Sequence, residues 1–401
     1  MLVRWMNFST CLLSVSMQRL FSLSVICALL MTAVVAEDVP GISKSRPDEG
    51  RFVEIESGFM VPYKITIPGS DVSFWMEPVP GGEFLMGSPD SEALREETEG
   101  PQRRVSVQPF WMARHEVTWG EYKRFMSLYS SFKAFEQQGL RTVTDENKID
   151  AITAPTMLYE PEFTFEYGED KDQPAVTITQ YSAKQYSKWL SAITESQFRL
   201  PTEAEWEYAC RAGSKTAYFY GDDPAQLSDY AWFAGNASDI GTQKVGQKMP
   251  NPWGLFDMHG NAAEWVLDTL EPYSATDGVV DGTKDWVTSK ELDPRIVRGG
   301  SWEFPAEQCR SASRLGSDSE AWKEYDPNLP KSPWWFTTDP ARGVGFRLIR
   351  PLAKVSREQM EVFWKIDNES TNYDVSDRLS EGRGVLGIVD KALPEAIKAL
   401  E

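Results

Sequence analysis

The alternation of apolar and polar positions predicts short strands joined by turns, with amphipathic helices between some of them. Two short strands are predicted for FWMEPVPGGEFLMGS, on either side of the Pro-Gly-Gly turn at residues 80–82. A strand that leads into a helix is predicted for VSVQPFWMARHEVTWGEYKRFM. The helix is expected to begin at Trp119, because Thr118 and Glu121 have the spacing of a capping box.

Two more helices are predicted farther along the chain. In PAVTITQYSAKQYSKWLSAI a strand precedes a helix, one face of which is formed by Tyr181, Ala183, Tyr186, Trp189 and Leu190. A second capping box, Thr202 with Glu205, opens the helix of RLPTEAEWEYACRAG, and Gly213 is expected to end it. Residues 128–173 carry the weakest pattern and end in the acidic FEYGEDKDQ, so we interpret them as a surface insertion.

The pattern changes twice in the second half of the chain. From residue 214 to residue 350 it indicates irregular, loop-rich structure that closes with a strand in ARGVGFRLIR. After Pro351, two short amphipathic helices are predicted in SREQMEVFWKI and VDKALPEAIKAL, separated by a polar link that begins DNESTNYDVSD. We interpret residues 352–401 as a C-terminal helical tail appended to the domain.

The N-terminal residues 1–36 have the pattern of a secretory signal peptide. Arg19 precedes the apolar run LFSLSVICALLMTAVVA, which ends in small residues and is short for a membrane span. Cleavage before Glu37 predicts an exported protein, periplasmic or extracellular, with no stable membrane insertion; a retained signal anchor is the alternative. A polar lead-in at 37–70 and one domain at 71–351 follow.

Composition and charge restrict the class of ligand. The 28 Gly, 25 Pro and 15 Trp indicate a turn-rich fold whose core relies on aromatic rings. Loss of the leader, which holds Arg4 and Arg19 and no acidic residue, changes the formal net charge from −19 to −21. Such a surface repels phosphate backbones, so no nucleic-acid partner is expected. The acidity favours cations or basic peptides as ligands; the alternative is that it only keeps an exported protein soluble.

The cysteines suggest a disulfide. Cys11 and Cys27 leave with the leader, so the mature chain keeps only Cys210 and Cys309. Export places the two thiols in a compartment that permits disulfides, and each lies within a structured motif. We therefore predict a bond between them, which would stabilise the fold by about 4–5 kcal/mol if it is unstrained.

Six motifs in order resemble the formylglycine-generating enzyme family, also called sulfatase-modifying factors. They are MEPVPGGEFLMGS, RHEVTWGEYKRF, RLPTEAEWEYACRAG, NPWGLFDMHGNAAEW, RIVRGGSW and GVGFRL. The resemblance covers about residues 73–350. It implies an α+β fold: a single compact domain with little regular secondary structure, related to the C-type lectin fold. Function is a separate question, because one fold hosts many activities.

The resemblance implies a calcium site in GLFDMHGNAAEW. The ligands would be the side chains of Asp257 and Glu264 and the backbone carbonyls of Gly260 and Ala262. Calcium prefers six or more hard oxygen ligands, and a Gly-Asn turn lets carbonyls face inward beside two carboxylates. The alternative is a turn without metal, in which Asp257 caps the turn and Glu264 makes a buried hydrogen bond.

The resemblance also sets a test for catalysis. Enzymes of the family oxidise a cysteine of a sulfatase to formylglycine with copper(I), which two thiolates hold just after the GGS segment. Soft thiolates select copper(I), and one thiolate cannot complete the site. Without gaps, Phe304 takes the first cysteine position and Cys309 the second; with a gap at CRSASR, Cys309 moves next to a structural cysteine that pairs with Cys210. On either alignment copper is not expected.

Other metal sites of the family are not expected to be complete. A second calcium site would fall near YAWFAGN, where Trp232 and Phe233 take the place of oxygen-bearing side chains. A related enzyme that joins sulfur to histidine derivatives uses iron held by closely spaced histidines, whereas this chain has His115 and His259 only. We interpret His115 as a packed or surface residue and His259 as a residue that orients the turn or lines a pocket.

A groove is the remaining candidate site. The resemblance places Ser301, the serine of GGS, in the active-site groove, and we expect Trp302, His259 and Arg310 to line it. The alternative for Arg310 and the later arginines is a structural one, in which they form buried ion pairs with carboxylates such as Glu264.

Together these patterns predict an exported sulfatase-modifying-factor-like domain that acts as a binding or accessory module. Its partner would be a protein or peptide, with a sulfatase as one candidate, and it would lack the copper oxidase. The alternative is an oxidoreductase that converts a sulfatase cysteine to formylglycine, with Cys309 and Ser301 as catalytic residues.

Overall fold

Short strands and long loops make up most of the fold, which a computed structural model shows. The structure describes residues 39–156, 164–237, 241–326, 331–338 and 340–400. Within it, Pro40–Glu401 forms one compact unit. The predicted signal peptide lies outside the described residues, and no helix within them has the length and apolar character that a membrane span requires.

The described residues contain sixteen strands in five small sheets. The strands are β1 (Ile42–Ser43), β2 (Val53–Ile55), β3 (Gly58–Met60), β4 (Tyr63–Thr66), β5 (Ser73–Val79), β6 (Gly82–Met86), β7 (Arg103–Val107), β8 (Phe110–Ala113), β9 (Ala151–Thr153), β10 (Ala263–Thr269), β11 (Val280–Asp281), β12 (Arg295–Arg298), β13 (Arg314–Gly316), β14 (Val344–Gly345), β15 (Ile349–Pro351) and β16 (Leu386–Ile388). Their orders are β1-β3-β2, β13-β12-β10-β14, β11-β7-β6, β15-β8-β5-β4 and β16-β9. The pairs are antiparallel except β10 with β14 and β11 with β7.

Helices pack between these sheets and on their outer sides. They are α1 (Trp119–Met126), α2 (Leu128–Gln138), α3 (Gln180–Thr194), α4 (Glu203–Arg211), α5 (Ser319–Trp322), α6 (Arg357–Trp364), α7 (Glu369–Ser380) and α8 (Leu393–Lys398). Both predicted capping boxes form, at the first residues of α1 and α4. The strand predicted before α3 is reduced to isolated bridges, because Thr177 adopts a φ of 62° that interrupts an extended chain.

Aromatic rings dominate the core, as the composition indicated. Tyr122 is at the centre, 5.7 Å from the ring of Tyr186 and 6.0 Å from that of Phe346. Trp119 and Trp265 are also fully or almost fully buried in this cluster. A second cluster forms around helix α4 and the strands β6, β7 and β12, so the two helices with capping boxes, α1 and α4, each contribute to one part of the core.

The segments at both sides of the first helix are more ordered than the pattern suggested. The polar lead-in at 37–70 contains β1 to β4, and β4 pairs with β5 of a main sheet. Within 128–173, helix α2 buries Leu128, Phe132 and Phe135. Strand β9 of the same segment pairs with β16 of the C-terminal segment.

The C-terminal segment 352–401 packs on the domain instead of extending from it. The indole of Trp364 donates to the carbonyl of Phe198 at 2.9 Å, and Lys184 forms a 2.8 Å ion pair with Asp367. The segment holds three helices rather than two. The predicted polar link DNESTNYDVSD is itself helix α7, because Asn368 caps its first turn and one side of it is buried.

Candidate functional site

The turn of GLFDMHGNAAEW is held in a conformation that few sequences allow. Asp257 and Asn261 both lie in the left-handed region, with φ of 59° and 63°. A Cβ on Gly260 would come within 2.2 Å of the carbonyl oxygen of Trp232, so only glycine fits there. The Asn261 amide accepts from the backbone N–H of Gln243 at 2.8 Å and donates to its carbonyl at 3.2 Å. The turn is therefore a rigid feature of the fold.

Glu264, a predicted calcium ligand, is occupied by hydrogen bonds. Arg347 donates to both of its carboxylate oxygens, from Nε at 2.8 and 2.7 Å and from Nη2 at 2.5 Å. The indole of Trp206 donates to the same carboxylate at 2.7 Å. Each oxygen thus accepts two N–H groups, and all three side chains are fully buried. This is the structural role that we considered for the arginines, and it leaves Glu264 little capacity for a cation.

Two other carboxylates near the turn are only half satisfied. Asp257 accepts from the backbone N–H of Gly246 at 2.7 Å through Oδ2, and Glu116 accepts from that of Ala262 at 3.3 Å through Oε1. Within the described residues, the second oxygen of each carboxylate is buried and has no hydrogen-bond partner. Burial and then the neighbouring Asp257 raise the pKa of Glu116 well above its usual range. Burial raises the pKa of Asp257 to about 6.

The arrangement fits a hard cation in part. Three buried carboxylates, Glu116, Asp257 and Glu264, share one arginine, Arg347, so the site has an excess of negative charge. Among the described residues, no three His, Cys, Asp or Glu side chains lie close enough together to hold a metal on their own. A calcium ion at this turn would therefore need backbone oxygens beside two carboxylates, as the Gly-Asn turn permits. Glu116 was not predicted as a site residue. Its only signal in the sequence is its position, as a charged residue between an apolar strand and a capping box.

The predicted disulfide between Cys210 and Cys309 is absent: both are buried free cysteines. The Cys210 sulfur lies 3.8 Å from the hydroxyl of Ser311, so a serine stands where a bonded sulfur was expected. The Cys309 sulfur lies next to Gly300, where a Cβ would come within 2.6 Å of it. Burial raises the pKa of the Cys210 thiol to about 12 and that of Cys309 further. Burial thus disfavours the thiolate form of both cysteines, which is the form that binds copper.

Both histidines are structural. His259 Nδ1 lies 2.7 Å from the carbonyl of Cys309 and its Nε2 accepts from the N–H of Phe219 at 3.2 Å, which places the proton on Nδ1. Its ring stacks on Phe219 at 5.2 Å. His115 Nδ1 lies 2.9 Å from the carbonyl of Glu116. Burial lowers the pKa of each histidine to about 4, so neither is a charged group or an available base near pH 7.

The groove predicted at the GGS segment is covered. Ser301 is fully buried. Trp302 stacks on Tyr167 at 6.0 Å, and the guanidinium of Arg342 lies 4.6 Å from the Tyr167 ring and 5.5 Å from that of Trp302. Arg342 also forms a 3.1 Å ion pair with Glu303. The pattern had no signal for Tyr167 and Arg342, because they come from segments that precede and follow the motif by more than 30 residues.

Arg310, the other predicted groove residue, forms buried ion pairs, as the structural alternative predicted. Its guanidinium lies 2.6 Å from a carboxylate oxygen of Glu99 and 2.6 Å from one of Glu92. An open cavity remains beside Arg310. A cavity of about 420 Å³ is lined by the loops 89–94 and 215–224 and by Glu307.

A second, smaller cavity lies behind the same segment. It has a volume of about 160 Å³ and is lined by Gly299, Gly300, Phe304 and Gln308. The segment 299–310 is therefore flanked by cavities, although the sulfur of Cys309 is buried.

Comparisons with known proteins decide the family. The model of the sulfatase-modifying factor enzyme 1-like domain matches residues 76–325, more than half of the 401-residue chain. The chain belongs to the sulfatase-modifying factor enzyme 1-like domain family. Formylglycine-generating enzyme of Bos taurus is 27% identical over 262 residues, which cover 58% of this chain and 67% of that protein. Inactive C-alpha-formylglycine-generating enzyme 2 of Mus musculus is 27% identical over 277 residues, 61% of this chain and 80% of that protein.

The fold comparison agrees with the family. The solved structure of PvdO from Pseudomonas aeruginosa superposes with a TM-score of 0.51 at 27% identity and covers 72% of this chain and 100% of that chain. The predicted family and the mixed α+β architecture are confirmed. The relation to the C-type lectin fold and the calcium ligands stay predictions.

Proposed function

We propose that this protein is an exported binding or accessory module of its family that has lost the copper oxidase chemistry. The observation that carries the proposal is the state of the sulfurs. The chain after the leader has only Cys210 and Cys309, and both thiols are buried with raised pKa values. The resemblance implies two thiolates after GGS; without gaps Phe304 takes the first of those positions, and with a gap at CRSASR Cys309 moves next to a structural cysteine, so on either alignment at least one thiolate is missing.

A relative supports the loss of activity. The Mus musculus protein that is 27% identical to this chain is named as an inactive form of the enzyme. One fold can thus host proteins with and without a given activity. The proposal for this chain rests on its own cysteines, and the name of this relative supports it.

The open cavity beside Arg310 is the proposed ligand site. It has a volume of about 420 Å³, and Asp222 and Glu307 contribute carboxylates to its wall next to Tyr218. Arg310 is already neutralised by Glu92 and Glu99, so the free charge at the cavity is largely acidic apart from Lys215. We propose a peptide or protein segment with a basic side chain as the ligand, in agreement with the acidic chain as a whole.

Two assays on the purified mature chain test the loss of chemistry. We expect two thiols that react with a thiol reagent only after unfolding, and no change in melting temperature on addition of a reductant. With copper supplied, a cysteine-bearing peptide should keep its thiol, as read by mass spectrometry. Tight binding of one equivalent of copper(I) together with loss of the peptide thiol would contradict the proposal.

The alternative function is an oxidoreductase that uses Cys309. One observation favours it: in the alignment without gaps, Cys309 falls on the second copper position, and its sulfur lies beside Gly300 of the GGS segment. Activity would require Cys309 to become exposed and ionised. In that case Cys309→Ser abolishes turnover, whereas Cys210→Ser retains part of it.

We also propose that the turn at residues 257–264 binds one calcium ion. Asp257 has a buried oxygen without a partner, which fits a cation, whereas Glu264 is held by Arg347 and Trp206. Calcium would supply positive charge and rigidity to the turn, and no chemical step is assigned to it. Chelation should lower the melting temperature of the purified protein, and restored calcium should recover it.

Export is proposed from the leader alone. The apolar run after Arg19 supports it, and N-terminal sequencing of the protein from the extracytoplasmic fraction tests it. A mature chain that begins near Glu37 is the expected result.

A further inference from the structure

A small cavity lies where the C-terminal segment 352–401 covers the domain. Its volume is about 40 Å³, and the starts of two helices, α3 and α7, line it. Thr179, which caps α3, belongs to the domain, and Asn368, which caps α7, belongs to the C-terminal segment. The first N–H groups of a helix have no partner within it, and they form its positive end. Two positive helix ends therefore meet at this cavity, which shares no lining residue with the cavity beside Arg310.

Two buried cations at the cavity share one carboxylate. Nζ of Lys184 lies 2.8 Å from Asp367, and Arg295 donates to both oxygens of the same carboxylate at 3.1 Å. The second carboxylate in the lining, Asp293, accepts from the hydroxyls of two serines and from the N–H of Ser319. Among the described residues Asp293 forms no ion pair. Asp367 is thus the carboxylate that pairs with both cations, and it balances only one of them.

A third cation, Lys323, lines the same cavity and is only 6% exposed. Within the part of the chain that the structure describes, its ammonium forms no hydrogen bond or ion pair, and the ring centre of Phe336 lies 5.5 Å from it. Burial lowers the pKa of Lys323, although three aspartates that lie farther away act in the opposite direction. Two of them, Asp326 and Asp374, also face Arg378. A buried ammonium without a partner is unfavourable, so an anion beside it would stabilise the fold.

We propose that this cavity binds a small oxyanion, inorganic phosphate or a carboxylate, that joins the C-terminal segment to the domain. Lys323 and Lys184 supply charged donors, and the two helix starts supply backbone N–H groups. The volume suits a ligand of only a few non-hydrogen atoms, since one water molecule needs roughly 10–15 Å³ of such a cavity. The chain has a formal net charge of −19, so its surface as a whole repels anions, and an anion binds only where the lining is locally cationic.

The test compares Lys323→Gln with Lys188→Gln in the full mature chain. Lys188 is the matched control because it is also buried and pairs with Glu361 of the C-terminal segment at 2.9 Å, but it does not line the cavity. Each protein is titrated with phosphate and with acetate by calorimetry. Its melting temperature is measured in each of these anions and in chloride at the same ionic strength, and hydrogen exchange of the α7 amides is followed with and without the anion.

The wild type and Lys188→Gln should bind one phosphate or acetate ion per chain, melt higher with it than in chloride, and exchange the α7 amides more slowly. Lys323→Gln should bind the ion at least about tenfold more weakly, because it loses a charge-assisted donor. Without the ion it should melt at or above the wild type, because glutamine removes an unpaired buried charge. That melting temperature also shows that the variant folds.

The two probes distinguish the sources of the ligand. Binding of phosphate alone would identify an inorganic ligand, and binding of acetate alone would identify a carboxylate. The proposal fails if neither ion binds, if chloride raises the melting temperature equally, or if Lys323→Gln binds as tightly as the wild type. A loss of binding in Lys188→Gln as large as in Lys323→Gln would also overturn it, because the effect would then come from the charge of the whole interface and not from this cavity.

Discussion

Two regions of the protein bury carboxylates in different ways. In helix α4 every glutamate meets an arginine: Glu203 with Arg314 at 2.6 Å, Glu205 with Arg199 at 2.7 Å and Glu207 with Arg211 at 2.9 Å. Around the 257–264 turn, Glu116, Asp257 and Glu264 share Arg347. The first region supplies its own counter-charges, with Arg298 as a fourth arginine beside Glu203 and Glu207, whereas the second has more carboxylates than arginines.

The ionisation of the two regions follows from this difference. Burial alone would raise the pKa of Glu203, but Arg314 and Arg298 outweigh it and hold the pKa below its usual range. Burial raises the pKa of Glu116, and the nearby Asp257 adds to the effect. The carboxylates of helix α4 are thus stabilised in their charged form by arginines, whereas Glu116 and Asp257 at the turn are not.

Removal of one arginine from each region should give the largest effect. We expect Arg347→Met and Arg314→Met each to lower the free energy of unfolding by about 3–5 kcal/mol, because each removes the main cationic partner of a buried carboxylate. Calcium should recover part of the loss in Arg347→Met, since Glu264 becomes available to the cation, and should recover no more in Arg314→Met than in wild type. Urea unfolding with chelator or with calcium measures this. Equal calcium responses in the two variants would contradict the comparison.

A steric change at the turn should have the next largest effect. We expect Gly260→Ala to cost about 1–3 kcal/mol, because its methyl group would lie 2.2 Å from the carbonyl oxygen of Trp232. Calcium affinity should fall with stability, since the same backbone orients the turn. The matched control is Gly278→Ala, whose methyl group meets only Thr276 Oγ1 at 3.6 Å in an exposed loop. A control that is as destabilised as Gly260→Ala would remove the steric explanation.

Some of this comparison could be predicted from the sequence, and some could not. The capping boxes set the first residues of α1 and α4, because Thr and Glu three positions apart act locally. The arginine partners lie far away in sequence, as Glu203 and Arg314 do, and no period or spacing connects them. Glu116 likewise contacts the turn through the N–H of Ala262, which is 146 residues away in the sequence. The local sequence pattern thus predicted the helix starts and the 257–264 turn, but it did not predict which charged side chains form pairs.

The two thiols and the C-terminal segment show the same limit. Counting the cysteines predicted a bond between Cys210 and Cys309, but the groups beside the Cys210 sulfur are the carbonyl of Met258, the ring of His259 and the hydroxyl of Ser311. The amphipathic helices after residue 352 revealed which faces are apolar. They did not reveal that Trp364 would cover the core at Phe198.

The two capping boxes permit a pH test. Burial raises the pKa of Glu121 to about 7, above the ordinary range of a glutamate, so its contribution to stability is complete below about pH 4.5 and is lost as pH rises through 7. Gln at this position keeps the acceptor for Thr118 and does not ionise. We expect Glu121→Gln to gain about 1–3 kcal/mol relative to wild type between pH 4.5 and 8. Glu205→Gln, which weakens the pair with Arg199, should be destabilised over the same range.

Urea unfolding at several pH values measures both variants. A Glu121→Gln difference that does not change with pH would show that Glu121 is ionised throughout, and it would place α1 with α4 among the charge-compensated elements.

The smallest expected effect is the difference in stability between the variants that lose the cap hydroxyl of α1 and that of α4. Thr118→Ala should cost about 1 kcal/mol, because its hydroxyl caps the Glu121 N–H and contacts the same glutamate. Thr202→Ala should cost up to about 2 kcal/mol, because its hydroxyl also donates to the buried carbonyl of Gly282 at 2.6 Å. Urea midpoints at one pH are sufficient. A larger loss of stability in Thr118→Ala than in Thr202→Ala would mean that α1 depends on its cap more than α4 does. It would also mean that Arg199, 2.7 Å from Glu205, stabilises the start of α4 less than this short contact indicates.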